Sequence, residues 1–240
     1  MENLKYIIED STIAELLGVQ NFSTDEAAVL ELVKNAYDAN ALTITLEFID
    51  KTLKITDDGN GMDLNDIKRH WMHIGKSDKG YNFIDSNSKV RVQAGSKGVG
   101  RFALARLGKN IELYSKKEQK DGVVWKTDWN QSTLDVDYNV KNKGTCILIN
   151  NLRERWTISR IKKLNTYLEK TYNDTSMKIR IVADLSVPEI SNHIVGSHQK
   201  DYHYKNVNYG RDYTAELSYF MDKKEYIRST FVNDVEEYRS

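Results

Sequence analysis

Two glycine-rich strings and one polar helical stripe are the residues in this sequence whose types and spacing could do chemistry. Asp57-Asp-Gly59-Asn-Gly61-Met62 sets a carboxylate beside two glycines. The glycines let a ligand approach the backbone, and the carboxylate can accept a hydrogen bond from an exocyclic amine. Gly95-Ser96-Lys97-Gly98-Val99-Gly100 offers unobstructed backbone N–H groups where a helix is expected to start. The positive end of a helix dipole suits a polyphosphate, and Lys97 and Arg101 add charge beside it. Its glycines follow neither Gly-x-x-x-x-Gly-Lys-Ser/Thr nor Gly-x-Gly-x-x-Gly, so the two commonest nucleotide-binding folds are disfavoured. The polar stripe lies in Glu31-Leu-Val-Lys-Asn35-Ala-Tyr-Asp38-Ala39. At about 100° per residue Glu31, Asn35 and Asp38 fall within roughly 60° of one another, while Val29, Leu32, Val33 and Ala36 cover the adjoining arc. A solvated amphipathic helix would show the same stripe; the glycine strings downstream weigh for a chemical face.

These residues need particular elements to position them. The stripe requires a helix over residues 24–40, with a capping-box pattern in Ser23-Thr-Asp-Glu26 and Asn40 where helices commonly stop. A short helix over 11–18 precedes it, with Ile13, Leu16 and Leu17 on one face and Gly18 closing it. Asp57 is delivered by a hairpin. Leu42, Ile44, Leu46 and Phe48 alternate with Thr43, Thr45 and Glu47, and Leu53 and Ile55 follow a turn at Asp50-Lys51. A short helix is expected over 64–74, a mobile loop over 75–93, and a helix over 101–107 that stops at Gly108. Strands are expected near 111–115, 123–129, 146–149 and 178–183, with a helix near 157–172. Helices and hairpins mixed in this way predict an α+β fold, a mixed and mostly antiparallel sheet with helices on one face, over a doubly wound parallel sheet.

The totals narrow the function classes. Lys plus Arg equals Asp plus Glu at 35 each, so no overall field draws the chain to nucleic acid or an anionic membrane; a nucleic-acid partner is left open without support from charge. One cysteine, Cys146, excludes an intramolecular disulfide, and the N-terminus lacks the basic and then apolar regions of a secretory signal, so the expected location is cytoplasmic. No apolar run is long enough to span a bilayer. The lone proline, Pro188, marks the expected boundary between a domain over 1–185 and the start of a second over 186–240, with strands near 202–208 and 215–220.

Together, Glu31-x-x-x-Asn35, Asp57-x-Gly59-x-Gly61-Met62, Gly95-x-x-Gly98-x-Gly100 and Gly144-Thr145 resemble the GHKL ATPases, the group of gyrase, the heat-shock chaperone, histidine kinases and MutL, in motif order over roughly residues 10–185. The resemblance implies the Bergerat two-layer α/β sandwich, ATP with Mg²⁺ as cofactors, and slow hydrolysis that drives a lid and a homodimer. By that resemblance Glu31 is the general base for water and Asn35 the Mg²⁺ ligand. Asp57 receives the adenine amino group with Thr145 in support, Gly59, Gly61 and Met62 line the adenine pocket, and Asp38 sits on the sugar and base side. Lys76, in the string Ile74-Gly-Lys-Ser-Asp-Lys79 that looks like the lid opening, and Gly95, Ser96, Lys97, Gly98, Val99, Gly100, Arg101 and Phe102 would attend the triphosphate. Lys97-Gly-Val-Gly-Arg-Phe102 looks most like bacterial chaperone-type ATPases, and the lid string is also similar to MORC proteins. A transducer-like second domain, further domains or partner proteins, and roles in DNA processing or antiviral defence belong to the same implication. Glu31 resembles the hydrolysing branch more than the histidine kinases; a kinase and a non-hydrolysing nucleotide sensor are the alternatives.

Other residues read as structural. His70 and His73 have metal-pair spacing without an evident third ligand, and read as surface or lid histidines; His70 stands where the chaperone has an asparagine. Cys146 reads as a core residue, the basic run Arg153, Arg155, Arg160, Lys162 and Lys163 as a solvated helix face, and Tyr202, Tyr204, Tyr209 and Tyr213 as packing in a small sheet.

Overall fold

The expected hairpin is the centre of the sheet. In the computed structural model, which describes residues 9–74, 82–84, 90–92, 99–172, 176–186, 207–208, 213–215 and 226–232, β1 (Thr43–Ile49) and β2 (Thr52–Asp57) pair antiparallel with Leu46 opposite Ile55 and Phe48 opposite Leu53. Ile44, Leu46, Phe48, Leu53 and Ile55 are all buried, so the period of two puts one whole face into the core.

Short strands β3 (Asn82–Ile84) and β4 (Val90–Val92) form a separate hairpin. The main sheet continues with β5 (Gly108–Lys116), β6 (Val123–Thr127), β7 (Ser132–Val136), β8 (Gly144–Leu152) and β9 (Lys178–Ser186) in the order β9-β1-β2-β8-β5-β6-β7. Beyond β9 follow β12 (Tyr226–Val232), β11 (Tyr213–Ala215) and β10 (Val207–Asn208). Among the described strands only β1 and β9 run parallel, as an excursion through a helix requires. The sheet is mixed and mostly antiparallel, and the architecture is the Bergerat α+β fold.

Helices cover one face. α1 (Asp10–Ala14) runs on into a π turn (Glu15–Val19), α2 (Asp25–Asp38) follows, and α3 (Leu64–Asp66) also ends in a π turn (Ile67–Trp71). A 3₁₀ turn (Gly100–Phe102) leads into α4 (Ala103–Leu107), and α5 (Ile158–Thr171) spans β8 to β9. Val29, Leu32, Val33 and Ala36 of α2, Leu104 and Leu107 of α4, and Ile161, Leu164 and Leu168 of α5 join the sheet's buried face in one core. Each Val, Leu or Ile side chain among them contributes about 1.5–3 kcal/mol on leaving water. The opposite sheet face is polar, with ion pairs Lys54–Glu47 at 2.7 Å and Lys126–Glu112 at 2.8 Å.

Several expectations are corrected. The N-cap of α2 is Thr24, whose Oγ1 accepts the Ala27 N–H at 3.1 Å, so the helix starts one residue after the Ser23 capping-box register. Leu16 is 52% exposed, and Gly18 lies buried inside the π turn, where a methyl would meet Phe102 O at 2.5 Å; close packing against α4 replaces the helix-ending role. α4 does end at Leu107 with Gly108 as its cap, as expected, but Gly108 leaves the helix with extended backbone and starts β5. β6 ends at Thr127 and β7 is an added strand. Cys146 is on the polar face, half-buried, where it accepts from Thr56 Oγ1 at 3.7 Å. Two members of the basic run are nonetheless engaged by the fold: Arg153, though exposed, donates from Nε to Ala105 O at 2.7 Å, and half-buried Arg160 pairs with Asp25. The expected loop over 75–93 apart from β3 and β4, the string from Gly95 to Gly98, Lys76, Pro188, Tyr202, Tyr204 and Tyr209 lie outside the described residues.

Candidate functional site

The turn after β2 is locked to the end of α2 by backbone and side-chain bonds, which brings the Asp57 motif beside the polar stripe. Asp58 Oδ1 accepts the N–H groups of Leu42 and Thr43 at 2.7 and 2.9 Å, and Asn60 N–H donates to Ala39 O at 2.7 Å. The α2 helix ends as its last carbonyls are taken up by Ala39, Asn40 and Ala41, with Asn40 in the left-handed region at φ 64°. Glu31, Asn35 and Asp38 are all half-buried on this helix, between its core face and solvent.

Asp57 is the last residue of β2, and its neighbour across the β2–β8 ladder is Thr145. Gly59 N–H donates to Asp57 Oδ1 at 2.9 Å. Burial pushes the Asp57 carboxyl up to about 6; the Gly59 N–H pulls against this, the Asp58 charge adds to it, and the Thr145 N–H opposes it. A carboxylate kept in such a place is a strong acceptor for a donor brought by a ligand.

Two glycines make the surrounding backbone possible. Gly61 has φ +65° and its Cβ position lies 2.0 Å from Lys116 O, and Gly144 has φ +119° and its Cβ position lies 2.1 Å from Asp57 O. The chain after Asp57 therefore presses against the end of β5 while β8 presses against Asp57 itself. Between them sits Ser115, fully buried. Its Oγ accepts the Met62 N–H at 2.8 Å, donates to Gly144 O at 3.0 Å, and lies 2.9 Å from Thr145 Oγ1. Met62 packs on the edge of the core. Ser115 was missed by motif reading, because a serine at the end of a strand carries no signal until β5, β8 and the glycine turn are brought together.

Glu31 faces the end of the second glycine string. A methyl on Gly100 would lie 3.0 Å from Glu31 Cγ and 3.1 Å from its Oε1. Lys34 Nζ is 3.4 Å from Glu31 Oε2, a neighbour the sequence reading did not single out. Val99 leads into the 3₁₀ turn, but Arg101 and Phe102 are occupied at the α3–α4 junction. The Arg101 guanidinium donates to the carbonyls of His70, at 2.8 Å, and His73, and lies 5.9 Å from the Trp71 ring; burial lowers it to about 10. Phe102 is buried and stacks near Trp129 at 6.4 Å. His70 and His73 are exposed, and no cluster of three His, Cys, Asp or Glu suited to a metal occurs among the described residues.

A second missed group ties the start of α2 to α4 and α5. Asp25, 2% exposed in the first turn of α2, bonds Arg106 Nε of α4 at 2.7 Å and Arg160 Nη2 of α5 at 2.6 Å. Acidic residues in a first turn usually read as dipole partners facing water, which hid this one.

Residues 22–167, more than half the chain, match the family model described as histidine kinase-, DNA gyrase B- and HSP90-like ATPase. Over 171 residues, 61% of this chain and 28% of the relative, the sequence is 30% identical to the chaperone protein HtpG of Campylobacter jejuni. Over 237 residues, 92% of this chain and 34% of the relative, it is 24% identical to the DNA mismatch repair protein MutL of Clostridium beijerinckii. A stretch of 40 residues is 88% identical to proline–tRNA ligase of Fusobacterium nucleatum, covering 17% of this chain and 7% of the ligase. A segment that short is less than a folding domain and carries no argument about activity. This chain thus spans about a third or less of the length of these relatives.

Proposed function

From the premise that this chain belongs to the histidine kinase-, DNA gyrase B- and HSP90-like (GHKL) ATPases, a family that binds ATP, we propose that it binds ATP with Mg²⁺ and hydrolyses it slowly to ADP and phosphate. The observation that carries this reading is Asp57: a half-buried carboxylate at the end of β2, raised to about 6 by desolvation, beside two backbone turns that leave no room for side chains. Such an acceptor fits the exocyclic amine of adenine, with Thr145 beside it and Gly59, Gly61 and Met62 along the pocket wall.

Asp38 lies on the sugar side. The side-chain oxygen of Asn35 is a hard ligand suited to Mg²⁺, which commonly takes one or two protein ligands and fills the rest of its shell with phosphates and water. When bound, the ion neutralises phosphate charge. Glu31, one helical turn before Asn35, accepts the proton of the attacking water as that oxygen bonds the terminal phosphorus and the bond to the leaving ADP oxygen breaks. Lys76 and Gly95 to Gly100 form the triphosphate side in this reading, while Arg101 and Phe102 are held at the α3–α4 junction. Lid closure, a nucleotide-dependent homodimer, a second domain over 186–240 and a cytoplasmic location complete it. No helix among the described residues is long and apolar enough to cross a membrane. Roles in chaperoning, DNA processing or antiviral defence would depend on attached domains or partners.

Calorimetric titration tests the assignment. Asp57→Asn is expected to weaken ATP binding by about 10²-fold or more, since the amide can present a donor where the amine needs an acceptor. Unchanged affinity would remove Asp57 from the site. The fold itself should not suffer. A carboxyl raised in the folded state above its ordinary 3.8 contributes most to stability below about pH 4 and loses that contribution as pH rises through 6, so above pH 6 the Asn variant should be no less stable than wild type.

Affinity for an amine donor has the opposite sign, because it needs the ionised carboxylate. Adenosine, which has no phosphate titrating nearby, should bind with constant affinity above about pH 7 and lose about tenfold per unit below 6. A flat profile between pH 5 and 7 would show that another group receives the base.

A further inference from the structure

The hydrogens available at Ser115 determine which way the Thr145 hydroxyl points. Gly144 O can only accept, so the hydrogen in its 3.0 Å contact with Ser115 Oγ is the serine's own. Met62 N can only donate, and it fills one serine lone pair at 2.8 Å. The remaining contact, 2.9 Å to Thr145 Oγ1, would set two lone pairs against each other unless the threonine donates. With that assignment Ser115, fully buried, has every bond it can form, and the Thr145 hydrogen is used up. Thr145 then offers lone pairs alone, next to Asp57 across the ladder.

We propose that Ser115 is a specificity-determining positioning residue: by holding Thr145 as an acceptor beside the Asp57 carboxylate, it makes the pocket read a 6-amino purine and reject a 6-oxo purine. The inference rests on the adenine-site reading above. Adenine carries two N–H bonds on its exocyclic nitrogen, which suit adjacent acceptors. Guanine and hypoxanthine put a carbonyl oxygen there, and acceptor would face acceptor in a desolvated site. Hydrogen-bonding sites reject mismatched groups far more strongly than apolar pockets do, because the buried groups are left unpaired.

ADP and IDP, which carry an amino and an oxo group at position 6, are the probes, titrated against wild type, Ser115→Ala, Thr145→Val and the double variant. Wild type should prefer ADP by on the order of 10²-fold or more. In Ser115→Ala the threonine hydroxyl is free to turn and donate to an oxo group, so the ADP-to-IDP ratio should fall at least about tenfold, a change that general loosening of the pocket would not produce. In the Thr145→Val background, Ser115→Ala should leave the ratio unchanged. Should Ser115→Ala fail to fold, Ser115→Cys keeps the size of the side chain and weakens its bonds, and must shift the ratio in the same direction. A ratio indifferent to Ser115 substitution in a folded, ADP-binding protein overturns the inference, as does an equal effect of Ser115→Ala with and without the Thr145 hydroxyl. Wild type that binds neither nucleotide overturns the adenine reading itself.

Discussion

Replacing Glu31 with alanine should lower ATP turnover by about 10²–10⁴-fold and leave ATP binding nearly intact, since a general base acts on the attacking water and contributes little to holding the nucleotide. Glu31 is half-buried on α2, one turn before Asn35, with Gly100 against its carboxylate and Lys34 at 3.4 Å. Glu31→Gln is the companion variant, because it keeps the shape against Gly100 and removes the proton acceptor. Both should bind ATP in a calorimeter and release little phosphate in a single-turnover assay. Wild-type rates in either variant would make Glu31 a structural acid and favour a module that binds nucleotide without turnover. Phosphate appearing on the protein instead of in solution would favour the kinase alternative.

The second large effect is on stability. Asp25→Ala should cost about 3 kcal/mol, seen as a lower midpoint in urea with an unchanged slope, because it leaves two guanidinium groups without their shared carboxylate. The carboxylate is 2% exposed, while the Arg106 and Arg160 side chains are 27% and 26% exposed, so water relieves the arginines only in part. Arg106 Nη1 also reaches Val19 O at 3.3 Å and Arg160 lies 4.7 Å from the Trp156 ring, so the loss loosens α1, α4 and α5 together. Substituting both arginines by methionine in the Asp25→Ala background should recover part of the loss, as apolar replacement of buried ion groups often does. A shift below about 1 kcal/mol in the single variant would mean that the three charges are already well hydrated.

Periodicity made the hairpin and α2 legible because their buried faces are complete: Ile44, Leu46 and Phe48 recur every second residue, Val29, Leu32, Val33 and Ala36 on one helical arc. The glycine motifs were legible because φ +65° at Gly61 and +119° at Gly144 exclude most side chains. Cys146 was misplaced for a physical reason. β8 carries apolar residues on both faces, Cys146 and Leu148 opposite polar neighbours and Ile147 and Ile149 in the core, so alternation did not distinguish inside from outside. Ser115 and Asp25 were illegible because their partners are remote: 29 and 30 residues separate Ser115 from Gly144 and Thr145, and 81 and 135 separate Asp25 from its arginines. Charge and hydroxyl content are visible in a sequence; their pairing is a property of the fold.

The Arg101 clasp gives the protein an optical signal of its own. Three of its four tryptophans gather where the chain enters and leaves residues 75–98: Trp71, edge-on to Trp125 at 5.7 Å, and Trp129 near Phe102. The fourth, Trp156, is 2% exposed against Phe48. A displacement of Arg101 or of the His70–His73 turn changes the charge and polarity around the Trp71 indole, and with them the colour and yield of its emission. Trp156, deep in the core, supplies a steady background. Unlabelled protein mixed rapidly with a ligand thus reports any displacement of this guanidinium in real time, and Trp71→Phe identifies the indole that carries the change.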